Sequence, residues 1–165
     1  MQLNGRFIIF PDTPQEIILP NSIVDEGEDA LFAMALQADN TIVAGAGNFY
    51  IGLCGDTGVA SDAVLADLLD EPGLVNGYAR QPVIRSAAGW TIDRVGGYSR
   101  ARSSIVNFIG SGGNFDTAIT RAFLCSVLTG TAGTLFSVSH RLTAPKTILD
   151  TETYPVVYEL YGKGS

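Results

Sequence analysis

Glu71 to Arg85 reads EPGLVNGYARQPVIR, and two turn signals followed by a strand signal decide what surrounds it. Pro72-Gly73 stops any helix arriving from the N-terminal side, and Asn76-Gly77 is a second turn dipeptide. The run after it, carrying tyrosine, valine and isoleucine, has the composition of a strand. Alternation would place Tyr78, Arg80, Pro82 and Ile84 on one face and Ala79, Gln81, Val83 and Arg85 on the other. Pro82 marks an edge strand, where a missing N–H costs no ladder bond.

Downstream, the chain is rich in strand signals. Trp90 to Val95 alternates, Gly96-Gly97 makes a turn, and Tyr98 to Ile109 completes a hairpin in which Tyr98, Arg100, Arg102, Ser104, Val106 and Phe108 share a face. Four more runs, Ile119–Leu128, Leu135–Leu142, Lys146–Leu149 and Tyr154–Tyr161, are separated by Gly130, Gly133, Pro145 and the segment 150–153. Gly110-Ser111-Gly112-Gly113-Asn114 has a superficial likeness to a phosphate cradle. It lacks the Lys-Ser/Thr that such a loop needs to reach phosphate and magnesium, so it reads as a turn.

Upstream, Ser61 is placed to cap a short helix that buries Val64, Leu65, Leu68 and Leu69 and ends at Pro72-Gly73. Phe49 to Cys54 reads as a strand, and a weaker strand is flanked by Asn40-Thr41 and by residues 45–48. Asn21 to Asp39 carries the strongest helix pattern: Ser22 or Asp25 can cap it, Glu26, Glu28 and Asp29 suit its positive end, and Leu31, Met34, Ala35 and Ala38 form a stripe widened by Phe32 and Leu36. Residues 1–20 hold the apolar Phe7, Ile9 and Phe10. Pro11, Pro14 and Pro20 argue against a regular central strand there, so an extended arm is expected, packed on its own domain or on a neighbouring subunit.

The expected fold is therefore mainly β, an antiparallel sandwich or open barrel with one or two short helices and an extended N-terminal arm. Residues 21–165 form the single β-rich domain. With 46% hydrophobic and 16% charged residues the chain can build a core, and disorder is excluded by that composition. Neither an N-terminal signal segment nor an apolar run long enough for a bilayer is present, which predicts a soluble protein made in a cytoplasm. The two cysteines, Cys54 and Cys125, lie in apolar runs without a CxxC spacing and read as buried thiols rather than a disulfide or metal ligands.

Charge is distributed unevenly. Up to residue 75 there are twelve acidic residues and one basic residue, Arg6, whereas from Asn76 onward nine Lys and Arg outnumber five acids. The asymmetry can be satisfied inside one fold or between subunits, where complementary patches fix register. A net charge of −7 at low charge density makes direct nucleic-acid binding unexpected.

Three pieces of the central region, Tyr50-Ile51-Gly52-Leu53, Val64-Leu65-Ala66-Asp67-Leu68 and Gly77-Tyr78-Ala79-Arg80-Gln81, follow in the order found in small tailed-bacteriophage virion structural proteins. That family carries a GLF-like strand, a TVLADLTEA-like segment and a GYARQ-like strand, and this chain resembles it over about a quarter of its length, with Val24 to Leu36 resembling the family's opening more loosely. Cys54-Gly55 departs from the aromatic and polar pair usual there. The resemblance implies a virion component.

No catalytic chemistry emerges from the residues. The single histidine, His140, sits in an apolar run, no GxSxG elbow occurs, and Asp116 and Asp150 are a carboxylate pair only if the fold brings them together. The strongest polar constellation is Arg80, Arg85, Arg94, Arg100 and Arg102 interleaved with Tyr78, Trp90 and Tyr98. Such a surface can stack on bases or sugars, but it pairs more readily with carboxylates of a neighbour, since arginine forms bidentate links and is enriched at interfaces. Together with Phe7, Ile9 and Phe10 these residues are the expected partner interface. The expectation is a non-enzymatic protein without cofactor or metal, a homo-oligomer in the virion. It would be a capsid decoration or cement protein bound to the major capsid protein and stabilising the shell. The alternative is a tail, adaptor or fibre component, including one that binds a host glycan.

Overall fold

The computed structural model describes residues 2–36, 47–56 and 58–163. Their strands are β1 (Gln2–Ile9), β2 (Ile17–Ile23), β3 (Asn48–Cys54), β4 (Gln81–Ile84), β5 (Trp90–Val95), β6 (Tyr98–Ser103), β7 (Val106–Ile109), β8 (Arg121–Cys125), β9 (Leu135–Ser139) and β10 (Thr153–Lys163), with helix α1 (Asp25–Leu36) between β2 and β3. All belong to one antiparallel sheet in the order β4-β3-β8-β9-β2-β1-β10-β6-β5, and β7 also pairs with β10. The long strand β10 is shared: Thr153–Val156 bond β7, while Glu159–Gly162 bond β6. Because β4 in turn contacts β7, the sheet curls into a nearly closed barrel from which the β5–β6 hairpin extends.

Alternation explains which side chains fill the barrel. Along β10, Tyr154, Val156 and Tyr158 point into the core with Phe7 and Ile9 of β1, Ile51 and Leu53 of β3, Leu124 of β8 and Phe136 of β9. Edge-on ring contacts tie the strands together, Phe49 to Phe136 at 5.1 Å and Phe49 to Trp90 at 5.7 Å between centroids, an arrangement that the ring quadrupoles favour. Cys54 and Cys125 are both buried free thiols, and they stand at opposite ends of the β3–β8 ladder, where Cys54 pairs with Arg121 and Cys125 with Tyr50.

The N-terminal segment is not an arm. β1 lies in the middle of the sheet between β10 and β2, and Phe7 and Ile9 are at most 1% exposed. The prolines that argued otherwise fall where the ladder tolerates them. Pro11 and Pro14 lie in the turn after β1, where Phe10 and Asp12 have positive φ of 52° and 59°. Pro20 lies within β2, opposite Arg6, and its carbonyl accepts the His140 N–H.

Other expectations shift in detail. α1 begins at Asp25, and the Glu28 N–H donates to the Val24 carbonyl, so Val24 rather than Ser22 or Asp25 occupies the capping position. The expected continuation to Asp39 and the weak strand expected between Asn40-Thr41 and residues 45–48 fall on residues 37–46, outside the described residues. The second helix reduces to one 3-10 turn, Leu65–Asp67. The hairpin turn forms as read, with φ of 58° at Gly96 and 84° at Gly97, a pair of left-handed values that suits glycine in a two-residue hairpin loop. Lys146–Leu149 contributes only a bridge from Lys146 to Ile119.

Candidate interaction surface

The stretch 71–85 does not form one strand. Only Gln81–Ile84 joins the sheet; residues 71–80 form a loop whose ends are clamped together. Arg80 Nε and one terminal nitrogen donate to the two carboxylate oxygens of Glu71 at 2.8 and 2.7 Å, a bidentate pair in which Arg80 is only 3% exposed. The other terminal nitrogen donates to the Val127 carbonyl at 3.0 Å, and the guanidinium lies over the Phe123 ring. The Tyr78 hydroxyl donates to Glu71 at 2.7 Å and accepts the Leu53 N–H at 3.1 Å. Burial, first, and the neighbouring Glu71 carboxylate both push the Tyr78 phenol far above its ordinary value, so it stays a donor.

Asn76-Gly77 turns the loop back with φ of 53° and 84°, and a Cβ at Gly77 would lie 2.5 Å from the Ile109 carbonyl. The alternation expected from Tyr78 to Ile84 breaks between Arg80 and Pro82. Tyr78, Arg80 and Val83 are buried whereas Pro82 and Ile84 are exposed.

Two further loops are stitched to this one at the same end of the barrel. The Asn76 side chain donates to the Asn114 carbonyl at 2.6 Å, and the Ser111 N–H donates to the Asn76 carbonyl. The Asp116 carboxylate accepts the Gly73 N–H at 3.2 Å. Asp150 Oδ1 accepts the N–H groups of Gly112 and Gly113 at 3.0 and 3.3 Å. The glycine loop thus cradles a carboxylate of its own chain, and Asp116 and Asp150 are each spent on backbone donors. This cross-linked end exposes four large apolar side chains, Leu74 at 67%, Val75 at 50%, Ile109 at 48% and Leu149 at 50%, beside the exposed polar Ser111, Asn114, Asp116 and Asp150. Large apolar side chains exposed on neighbouring loops mark a candidate interaction site.

The structure distributes the expected interface residues differently. Phe7, Ile9, Tyr78 and Arg80 are core residues and unavailable to a partner, because the barrel needs their apolar area and the buried Arg80 charge is satisfied by Glu71. Phe10 is half-buried and packs edge-on against Tyr154 at 5.2 Å. Trp90 packs edge-on against Phe49 and Tyr158, and with Arg85, Leu31, Ile92 and Leu160 it lines a half-open apolar cavity of 620 Å³ between the hairpin and the barrel. Arg94 and Tyr98 are exposed on the hairpin.

Arg100 and Arg102 do share a face, but it is neutralised from within. The carboxylate of Glu159, fully buried, takes Arg6 at 2.7 Å, Arg100 at 3.2 Å and Arg102 at 3.4 Å, together with the Tyr161 hydroxyl. Arg100 also clamps Asp93 at 2.9 and 2.6 Å, and Arg102 reaches Asp12 at 3.0 Å. Pairing of Arg80 with Glu71 and Arg102 with Asp12 shows that these basic residues of the C-terminal half meet acids of the N-terminal half inside one fold.

Sequence reasoning missed Leu74, Val75, Ile109 and Leu149. A signal for the first two existed: an apolar pair bracketed by Pro72-Gly73 and Asn76-Gly77 must sit at a loop tip. Glu71 and Glu159 were also missed, and Asp116 and Asp150, weighed as a carboxylate pair, instead each accept backbone N–H groups, since only the fold reveals which groups a carboxylate meets. No group of three His, Cys, Asp or Glu side chains that could hold a metal ion occurs among the described residues. No known protein family, no curated protein and no solved structure matches the chain.

Proposed function

We propose that this protein is a structural component of a tailed-bacteriophage virion, a capsid decoration protein that binds the major capsid protein and stabilises the shell. The observation that supports it most is the set of exposed Leu74, Val75, Ile109 and Leu149 on loops that are held rigid by Glu71–Arg80, Asp116 and Asp150. A preordered apolar surface binds with little loss of loop entropy, which is what a protein docking onto a repeated lattice requires. Each such side chain contributes at most about 1.5–3 kcal/mol when fully buried, so single contacts are modest and repetition over many copies gives the collective stability. The clamp residues Tyr78 and Arg80 belong to the Gly77–Gln81 piece that carries the resemblance to virion proteins, and with Glu71 their role is to build this surface rather than to touch the partner. A homo-oligomer assembled in the host cytoplasm and carried on the virion fits the same reading.

Quantitative protein stoichiometry of purified particles tests it. A simple fraction of the major capsid subunit is expected. A handful of copies per particle would transfer the protein to the tail or its adaptors, and absence from particles would overturn the virion assignment. In parallel, Leu74→Asp is expected to abolish binding to undecorated shells while leaving the unfolding midpoint unchanged.

A further inference from the structure

On another part of the barrel, around the end of β9, a 400 Å³ pocket gathers Arg121, His140 and Arg141 with the hydroxyl-bearing Ser22 and Ser61. Its position follows from the ladder. The His140 N–H bonds the Pro20 carbonyl of β2 at 2.6 Å, which fixes His140 and Arg141 just beyond β9. Arg121 is oriented by two backbone carbonyls: Nε donates to Asp56 at 3.2 Å and a terminal nitrogen to Ser139 at 2.6 Å. The Ser61 segment is held against the start of α1 by the Asp25 N–H, which donates to the Ser61 carbonyl at 3.0 Å.

The chemistry of this pocket is donor-rich. Arg6, Arg80, Arg100 and Arg102 all terminate on carboxylates, whereas Arg141 and His140, both exposed, make no side-chain hydrogen bond or ion pair within the described residues. No acid lines the pocket: Asp56 is buried and its carboxylate accepts the Gly58 and Leu69 N–H groups at 2.9 and 3.1 Å, while Asp25 and Asp62, chain neighbours of the lining residues Val24 and Ser61, are exposed to solvent. Guanidinium groups match the oxygen geometry of phosphate and sulfate, and serine hydroxyls supply the weaker donors such a group takes in addition.

We infer that the pocket formed by Arg121, His140, Arg141, Ser22 and Ser61 binds a tetrahedral oxyanion, a phosphate or sulfate group, either free or as the ester of a small molecule. Its volume exceeds that of the bare ion, which leaves room for the body of an ester. The inference is independent of the virion assignment, since the pocket is built from β2, β8, the end of β9 with His140 and Arg141, and the Ser61 segment, and shares no residue with the loops that present Leu74 and Ile109.

The experiment is a titration of the ¹⁵N-labelled full chain with inorganic phosphate, and separately with a phosphate monoester, at constant ionic strength, followed by amide shifts. Saturable shifts at Ser22, Ser61, Arg121, His140 and Arg141 are expected. Arg141→Gln, which removes an exposed side chain without structural bonds, should weaken the affinity by about fivefold to tenfold, the loss of one charge-assisted contact at a solvent-accessible site. Arg94→Gln, an exposed arginine on the β5–β6 hairpin, should leave it unchanged. Tighter binding of the monoester than of the free ion would identify an ester as ligand, and equal binding would identify the ion itself. Shifts that fail to saturate, that acetate reproduces at equal concentration, or that Arg94→Gln weakens as much as Arg141→Gln would overturn the inference.

Discussion

Arg80 and Glu71, nine residues apart in sequence, close the loop of the central stretch through two parallel N–H···O bonds of 2.8 and 2.7 Å. Because Arg80 is almost entirely buried, removing the carboxylate leaves an uncompensated interior charge, which costs about 3–5 kcal/mol. Glu71→Gln is therefore expected to lower stability by that order, read from the urea unfolding midpoint. A loss below about 1 kcal/mol would mean that the clamp is solvated and marginal. Arg80→Lys is expected to be nearly as damaging, since an ammonium cannot reproduce the bidentate link, the Val127 contact and the stacking over Phe123 together.

Glu159 occupies the same logical position on the opposite wall. It is fully buried and serves Arg6, Arg100 and Arg102 at once. Glu159→Gln should cost about 3–5 kcal/mol in chemical denaturation, whereas Arg102→Gln, which removes one of several partners at the solvent edge, should cost about 1 kcal/mol or less. Equal losses from the two variants would contradict the shared-carboxylate arrangement.

Acid should unfold the protein through specific carboxylates. The Arg100 guanidinium holds the Asp93 carboxyl below its usual range; at Glu152 burial pushes the carboxyl up, but the Leu149 N–H and the Lys146 ammonium outweigh it and hold it low. A carboxyl depressed in the folded state binds fewer protons there than in the unfolded chain. Its contribution is present above the unfolded value of about 4 and is lost as the pH falls through the folded value. The unfolding midpoint should drop steadily below about pH 4, and Asp93→Asn should flatten that slope relative to the parent protein.

Burial pushes the Cys54 thiol up to about 12 and raises Cys125 as well. Thiolate is the reactive form, so neither cysteine should react with a thiol reagent at neutral pH until the protein unfolds. The sign is that of an acid raised by folding: the stability is present below the unfolded thiol value and is lost as the pH rises toward the folded one. Labelling followed by mass spectrometry should find both thiols free in the native state. Rapid modification of the native protein would show that the β3–β8 wall opens locally.

Gly77 separates backbone strain from surface effects. Its φ of 84° and the closeness of the Ile109 carbonyl both oppose a side chain, so Gly77→Ala should destabilise by more than about 1 kcal/mol. If the proposed function holds, it should also weaken binding to undecorated shells even though glycine carries no side chain, because the turn presents Leu74 and Val75. Unchanged stability would mean that the loop can relax around the methyl group.

Much of the fold was legible because local chemistry and tertiary structure agreed. Period-two alternation at Trp90–Val95 and Tyr98–Ser103, the Gly96-Gly97 turn and the acidic start of α1 each follow from backbone sterics and need no distant partner. So does the turn at Asn76-Gly77. The N-terminal segment was misread because proline propensity is a local property, whereas β1 is held by β2 and β10, which come from both ends of the chain. Propensity yields to tertiary pairing when that pairing buries Phe7 and Ile9.

A β-rich chain with a core, the hairpin, the helix and a pool of arginines without a metal or nucleophile motif follow from residue types and their spacing. The tertiary structure alone decided where that charge goes. Arg80 turns inward to Glu71, Arg100 and Arg102 converge on Glu159, and Arg141 is left facing a pocket with His140. A carboxylate's partners are set by which strands lie beside it, and strand order is a long-range property that spacing along the chain does not encode.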